Sequence, residues 1–152
     1  QELEVLEGLQ PNARVGTWAF EWYWNQPHVP HVKEFVAAIR KKTGGKVPTA
    51  RHWFGYVATW TAALVANQEK TLDAVKLAKA LEGFKLPPEI ALMPNETFYR
   101  AGDHQLMPTL YVGHAVANGP VPEDLFHVDE LVKGVDAALP VDQTGCHVKW
   151  PA

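Results

Sequence analysis

The run ARHWFGYVATWTAALVA, residues 50–66, limits what this chain can fold into more than any other stretch. It has no proline and a single glycine, and Trp53, Tyr56, Val57, Trp60 and Leu64 recur at helical spacing. Its other side is small and apolar as well, with Ala58, Ala62 and Ala63. A helix that is apolar on both sides needs cover on both sides. The run is therefore expected to be buried nearly all round, within a layered architecture that surrounds it.

The flanking segments supply candidate layers. ARVGTWAF, residues 13–20, is short, aromatic and β-branched and reads as a strand. A helix is expected to open with Pro30 in its first position. It places Val32, Phe35, Val36 and Ile39 on one face and stops at Gly44-Gly45. A third helix is expected to take Thr71 as N-cap, to use Leu72, Val75, Ala78 and Leu81 as its core face, and to end at Gly83. Strand-like runs follow at 89–93, 97–100 and 106–115, with a loop carrying Gly102 and Asp103. LFHVDELVKG alternates as a strand does, although VDELVKGVDAAL would also suit a short helix; the strand is preferred. The last dozen residues read as an irregular extended tail. One strand, three helices and then further strands give an α/β arrangement of helices packed on sheets.

Composition removes several function classes. The chain has 152 residues, 47% of them apolar, and a formal charge of −3 without a dense basic run. That argues against nucleic acid or an anionic membrane as partner. No stretch approaches the roughly 20 apolar residues of a membrane span. Cys146 is the single cysteine, so two-cysteine metal motifs are ruled out; an inert thiol, a free thiol and half of a disulfide all remain open.

Three residue groups invite a chemical reading. His28 and His31 form H-x-x-H, continued by Glu34, but Pro30 between them keeps them off one helical face. Solvated or hydrogen-bonded histidines are preferred to a metal site, which needs three or four converging ligands. Asp103-His104, with Thr109 nearby, suggests an acid–base pair; a polar turn is the plainer reading, since no nucleophile-elbow or phosphate-loop motif accompanies it. Trp18, Phe20, Trp22 and Trp24 would share one face if the strand continued. Core packing accounts for the first two. Trp22 and Trp24 are candidates to face a ligand, because tryptophan is often placed where one end stays wet.

Several stretches taken in order resemble a known family. These are EFVAAIRKKTGGKVP, then GYVATWTAALVAN, then TLDAVKLAKALEGFK, and finally TLYVGHA. The resemblance, over about residues 13–116, is to the C-terminal part of type I periplasmic solute-binding proteins. Within these it points to the branched-chain amino acid receptors of ABC transporters, the Leu/Ile/Val-binding-protein-like group. The tail PEDLFHV…TGCHVKWPA is similar to the extended C-termini of some proteobacterial members. Where the family commonly has a Gly-Pro and a D-x-x-G turn, this chain has LMPNETFYRAGDHQ, so the return crossing is matched only in part.

The resemblance implies two α/β lobes with mostly parallel sheets, joined by crossing segments and closing on a small ligand. Residues 1–18 would belong to lobe two and 19–105 to the helical part of lobe one. Hinge crossings would lie near 18–24 and 92–105, and residues 106–152 would return to lobe two and the tail. On this view the chain is a C-terminal fragment that relies on an upstream segment, or on a second copy, for cover. The implied function is periplasmic uptake of a solute delivered to a membrane permease, with no catalysis, cofactor or metal. A nutrient- or amide-sensing regulator on the same fold is the alternative, and a leader upstream would separate the two. In the family the start of the helix carrying the central Tyr lines the cleft. The contact position falls on Arg51, where aliphatic binders carry an apolar residue. An arginine there suits a carboxylate, with His52 as helper and an organic acid, aromatic or amino-acid-like, as ligand.

Overall fold

A computed structural model describes residues 3–147, 149 and 150. A short helix, α1 (Leu3–Gly8), and a 3-10 turn at Pro11–Ala13 precede strand β1 (Thr17–Phe20). Three helices follow: α2 (Val32–Thr43), α3 (Ala50–Glu69) and α4 (Ala74–Ala80). After the single turn α5 (Pro88–Ala91) come the strands β2 (Phe98–Tyr99), β3 (Leu106–Met107), β4 (Thr109–Ala115) and β5 (Phe126–Lys133). The chain then makes the turn α6 (Gly134–Ala137) and a 3-10 turn at Val141–Gln143.

The strands form a sheet in the order β1-β4-β5 and a separate β2-β3 ribbon. Every one of these pairings is antiparallel, so the expected mostly parallel order is not found among the described strands. The reason is local. β4 and β5 are joined by a short loop, which permits only antiparallel pairing, and parallel neighbours need a long crossover. A bulge between Val112 and Gly113 leaves Asp129 without a partner in the ladder. A Cβ built on Gly113 would lie 1.9 Å from the His127 carbonyl oxygen, so the strands meet this closely only with glycine there.

Helix α3 begins and extends as its sequence demands, but one expectation about it fails. The buried stripe is Ala50, Trp53, Val57, Thr61 and Val65, whereas Ala58, Ala62 and Ala63 are exposed and Trp60 is 44% exposed. The described residues cover one side of the helix only. Helix α2 stops at Gly44, in the left-handed region at φ 71°, as expected. It starts at Val32 rather than at Pro30, because successive turns close from Val29 N–H to Gln26 O and from Val32 N–H to Val29 O. Pro30 sits inside the second turn, where its fixed φ is useful.

Two further expectations are corrected. The N-cap of α4 is Asp73, whose carboxylate accepts from Lys76 N–H at 2.9 Å; Thr71 instead accepts from Asp73 N–H. Leu72 then falls outside the helix and is 87% exposed, and Val75 is exposed too, so neither belongs to a core face. Residues 89–93 are not a strand. Pro88 starts the turn α5 and Leu92 ends it at φ 51°, burying Ile90, Ala91, Leu92 and Met93 together. A short unbroken apolar run carries no period that distinguishes the two readings. The tail strand is present as β5, and the 106–115 run divides at Pro108, which has no N–H to pair.

The core joins these layers. Leu3 and Leu6 of α1, Phe20 of β1, Phe35 of α2, Trp53 and Val57 of α3, Leu92 and Phe126 all belong to one buried cluster. Phe20 meets Phe126 edge-on at 4.8 Å, and Trp22 meets Phe35 at 5.5 Å.

Candidate functional site

The first turn of α3 places the Arg51 guanidinium and the His52 imidazole where the helix macrodipole favours negative charge. His52 has a local reason to be there. As the third helical residue it turns Nδ1 back to accept the N–H of the N-cap residue Thr49 at 3.2 Å, and the Thr49 hydroxyl lies 3.2 Å from the same nitrogen. The imidazole takes the place that Glu or Gln holds in a capping box. Arg51 is exposed beside it. One turn further along the same face, Phe54 walls a cavity of about 360 Å³ together with Glu21, Gln105, Leu106, Met107 and Leu110. The cavity is thus bounded by α3, the end of β1, the strands β3 and β4 and the turn α6, which adds Gly134 and Ala137.

The aromatic segment after β1 is arranged differently from the expectation. β1 ends at Phe20, so the alternation that would align Trp22 and Trp24 with Trp18 and Phe20 is lost. Trp22 is 1% exposed, and its indole N–H donates to Leu92 O at 3.0 Å. Trp24 donates to Glu123 O at 3.3 Å, and the Arg40 guanidinium lies 5.7 Å from its ring. Its free edge borders a second cavity with Asn25, Pro27, Val32, Lys33 and Val36, walled by α2 and not by α3. The structure therefore brings Arg51 and His52 together and leaves Trp22 and Trp24 elsewhere.

Residues 22–26 are fixed by a buried polar network. Tyr23 Oη donates to Asp124 Oδ1 at 2.8 Å, and Asn25 Nδ2 donates to Asp124 Oδ2 at 2.9 Å. Gln26 donates to Tyr23 O and accepts from the Tyr111 hydroxyl. Burial raises the ionisation of both tyrosines well above the ordinary phenol value, and the Asp124 hydrogen bond and charge add to the rise at Tyr23. Asp124, Glu21, Phe54 and Gln105 escaped the sequence reading. Only Glu21 left a signal there, as the one carboxylate inside the run WAFEWYW.

The acid–base pair comes apart in space. The Asp103 carboxylate accepts from Arg100 Nε at 3.0 Å and from Arg100 Nη2, which holds its ionisation below the usual range. His104 turns away toward Glu82 at 3.4 Å. Thr109 is buried and accepts from Asn95 Nδ2. Among the described residues no three His, Cys, Asp or Glu side chains converge as a metal site, and no helix is long and apolar enough to cross a membrane.

The model of the periplasmic binding protein family matches residues 2–120. The chain belongs to this family. Members are substrate-binding proteins of transport systems and are themselves periplasmic. Solved structures repeat the fold, which in them is two-lobed. An amino acid ABC transporter substrate-binding protein from Pseudomonas fluorescens Pf-5 has TM-score 0.77 and 24% identity, over 96% of this chain and 38% of its own. A branched-chain amino acid ABC transporter periplasmic ligand-binding protein from Burkholderia xenovorans LB400 has TM-score 0.78 and 20% identity, over 93% and 37%. A solute-binding protein of an ABC transporter from Rhodopseudomonas palustris BisB5, solved with 3,4-dihydroxybenzoic acid, has TM-score 0.69 and 18% identity, over 88% and 35%. The chain thus spans little more than a third of the length of each of these proteins. Comparison with curated proteins gives no match.

Proposed function

We propose that this chain is part of a periplasmic receptor that binds a small organic acid and hands it to the permease of an ABC transporter, without catalysing a reaction. The ligand is an aromatic carboxylate or an amino-acid-like acid. Arg51 is its anion anchor and His52 assists through the ring nitrogen that does not cap α3. The observation that carries this reading is the placement of Arg51 on the exposed first turn of α3, one turn before Phe54 and its cavity. Helix-terminal amides and a guanidinium fork favour a carboxylate at the same spot. The fold-mate from R. palustris BisB5 holds an aromatic carboxylate, which supports the same ligand class. On this reading α2, α3 and α4 belong to one lobe, the β1-β4-β5 sheet leads to the other, and the remainder of the protein completes the cleft and covers the exposed alanine face of α3.

The test is calorimetry on the complete protein with a panel of benzoic acids and branched-chain amino acids. Arg51→Ala should weaken the best ligand by about 2–4 kcal/mol, as loss of one partner of a desolvated ion pair does. The melting temperature of the ligand-free protein should barely move. Unchanged affinity in that variant removes Arg51 from the site.

A further inference from the structure

The last described residues run back across the molecule. From the end of β5 the chain passes α6, and the Leu139 carbonyl accepts from Arg100 Nη1 at 2.8 Å. Arg100 is also bonded to Asp103 and, through Nη2, to Gln105 Oε1 at 3.3 Å, so one guanidinium ties the tail to the turn between β2 and β3. Val141 lies so close over that turn that a Cβ on Gly102 would come within 2.6 Å of its Cγ1. Beyond it, Trp150 donates its indole N–H to Glu82 Oε1 at 2.9 Å. Its ring is 5.6 Å from the Lys79 ammonium and 5.4 Å from the His104 ring. Lys79 belongs to α4 and Glu82 follows that helix closely, so the tail starts at the edge of the sheet and ends on the helical layer.

The segment beneath it is tied to the helical layer as well. The β2-β3 ribbon has two paired residues on each strand. The outer edge of β2 bonds to the stretch after α4, with Gly83 N–H donating to Tyr99 O and Tyr99 N–H to Phe84 O, each at 2.9 Å. We infer that the described tail residues, 139–147, 149 and 150, belong to a strap that ties the helical layer to the β1-β4-β5 sheet, with Trp150 as its buckle, and that the strap holds the two lobes of the complete protein toward the closed arrangement. This rests on the lobe assignment proposed above, in which the strap starts in one lobe and fastens on the other. Opening the lobes then requires Trp150 to leave Lys79, Glu82 and His104.

The test uses spin labels, one on an exposed position of each lobe of the complete protein, and reads the interlobe distance distribution without ligand. Trp150→Ala should shift the ratio of open to closed molecules by about fivefold toward open, the lower range of conformational couplings. Trp150→Phe, which keeps a ring over Lys79 but loses the donor to Glu82, should fall between. Glu82→Ala, which removes the acceptor from the other side, should match the loss of the donor. A distribution identical in wild type and Trp150→Ala overturns the strap. Because no ligand is present, that outcome is distinct from failure of the binding reading, which would appear as a wild-type distribution that no organic acid alters.

Discussion

Alkaline pH should weaken this fold through two phenols. Tyr23 and Tyr111 are both nearly inaccessible to solvent, and burial raises their ionisation far above the ordinary value of 10.0. The native state keeps both protons where the unfolded chain releases them. Stability from these groups is therefore fully present below pH 10 and is lost as the pH rises beyond it. Each retained proton lowers the unfolding free energy by about 1.4 kcal/mol per pH unit, so the pair contributes a slope of about 2.7 kcal/mol per unit. At pH 11 about 3 kcal/mol is gone, a large part of the 5–15 kcal/mol that holds a domain together.

Tyr23→Phe separates this effect from lysine titration and general charge repulsion. At pH 7 the variant loses the donor to buried Asp124 and should be less stable by about 1.5–3 kcal/mol, the range for hydrogen bonds to charged groups. Above pH 10 it no longer carries the proton that penalises the wild type. Its deficit should shrink by about 1.4 kcal/mol per unit and vanish near pH 11 to 12. Urea midpoints measured from pH 8 to 11.5, with tyrosinate absorbance followed in parallel, give the two curves. A deficit that stays constant across that range would show that Tyr23 ionises normally in the folded state, and the burial argument would fail.

Four further outcomes follow from the same geometry. Gly113→Ala must push strand β5 away from the 1.9 Å contact at His127 O, and should cost at least about 2–3 kcal/mol in a denaturant melt. Asp73→Ala should cost about 1 kcal/mol as a lost helix cap, whereas Leu72→Ser should stay within about 0.5 kcal/mol; equal losses would restore Leu72 to the core. The Asp103 carboxyl is held below its ordinary value of 3.8, chiefly by the Arg100 hydrogen bond. Its contribution is present above that pH and is lost as the pH falls through the lowered value, so amide exchange in residues 100–105 should accelerate only in strong acid. Arg51→Ala should leave that exchange and the melting temperature alone while it weakens ligand binding.

Much of the fold was legible where sequence and local geometry agree. Gly44-Gly45 stops α2, Thr49 precedes α3, and the alternation of residues 126–133 gives β5. The misreadings share one cause, competition between equivalent local signals. Thr71 and Asp73 both offer caps, and the carboxylate holds the first turn of α4. Pro27 and Pro30 lie in turns that the Gln26 and Val29 carbonyls close, which delays α2 to Val32. Residues 89–93 are apolar without a period, and the pair Pro87-Pro88 decides for a helical turn. The all-round burial expected of α3 assumed cover on both sides, and the described residues give cover on one.

The proposed site was legible at a single point. Arg51 in the first turn of α3 runs against the macrodipole, while His52 beside it is accounted for as a cap. For His52 the partner is local, the Thr49 N–H only 3.2 Å away. Arg51, whose neighbour already completes the cap, has no such capping role. The next residue on its face is Phe54, on the wall of a cavity whose other members come from residue 21 and from residues 105–110 and 134–138. No sequence period joins those positions, since they meet only when β4 pairs with β1 and brings the strands around α3 together. Trp22 and Trp24 stand beside Arg51 as ligand candidates because aromatic side chains are conspicuous in a sequence. Their indole N–H groups, donated to Leu92 O and Glu123 O, bind the chain to itself. An indole already donating within the fold offers a ligand little beyond its ring, and that of Trp22 is nearly inaccessible as well. A guanidinium, by contrast, carries five donors and can hold a partner in the fold and still meet a carboxylate.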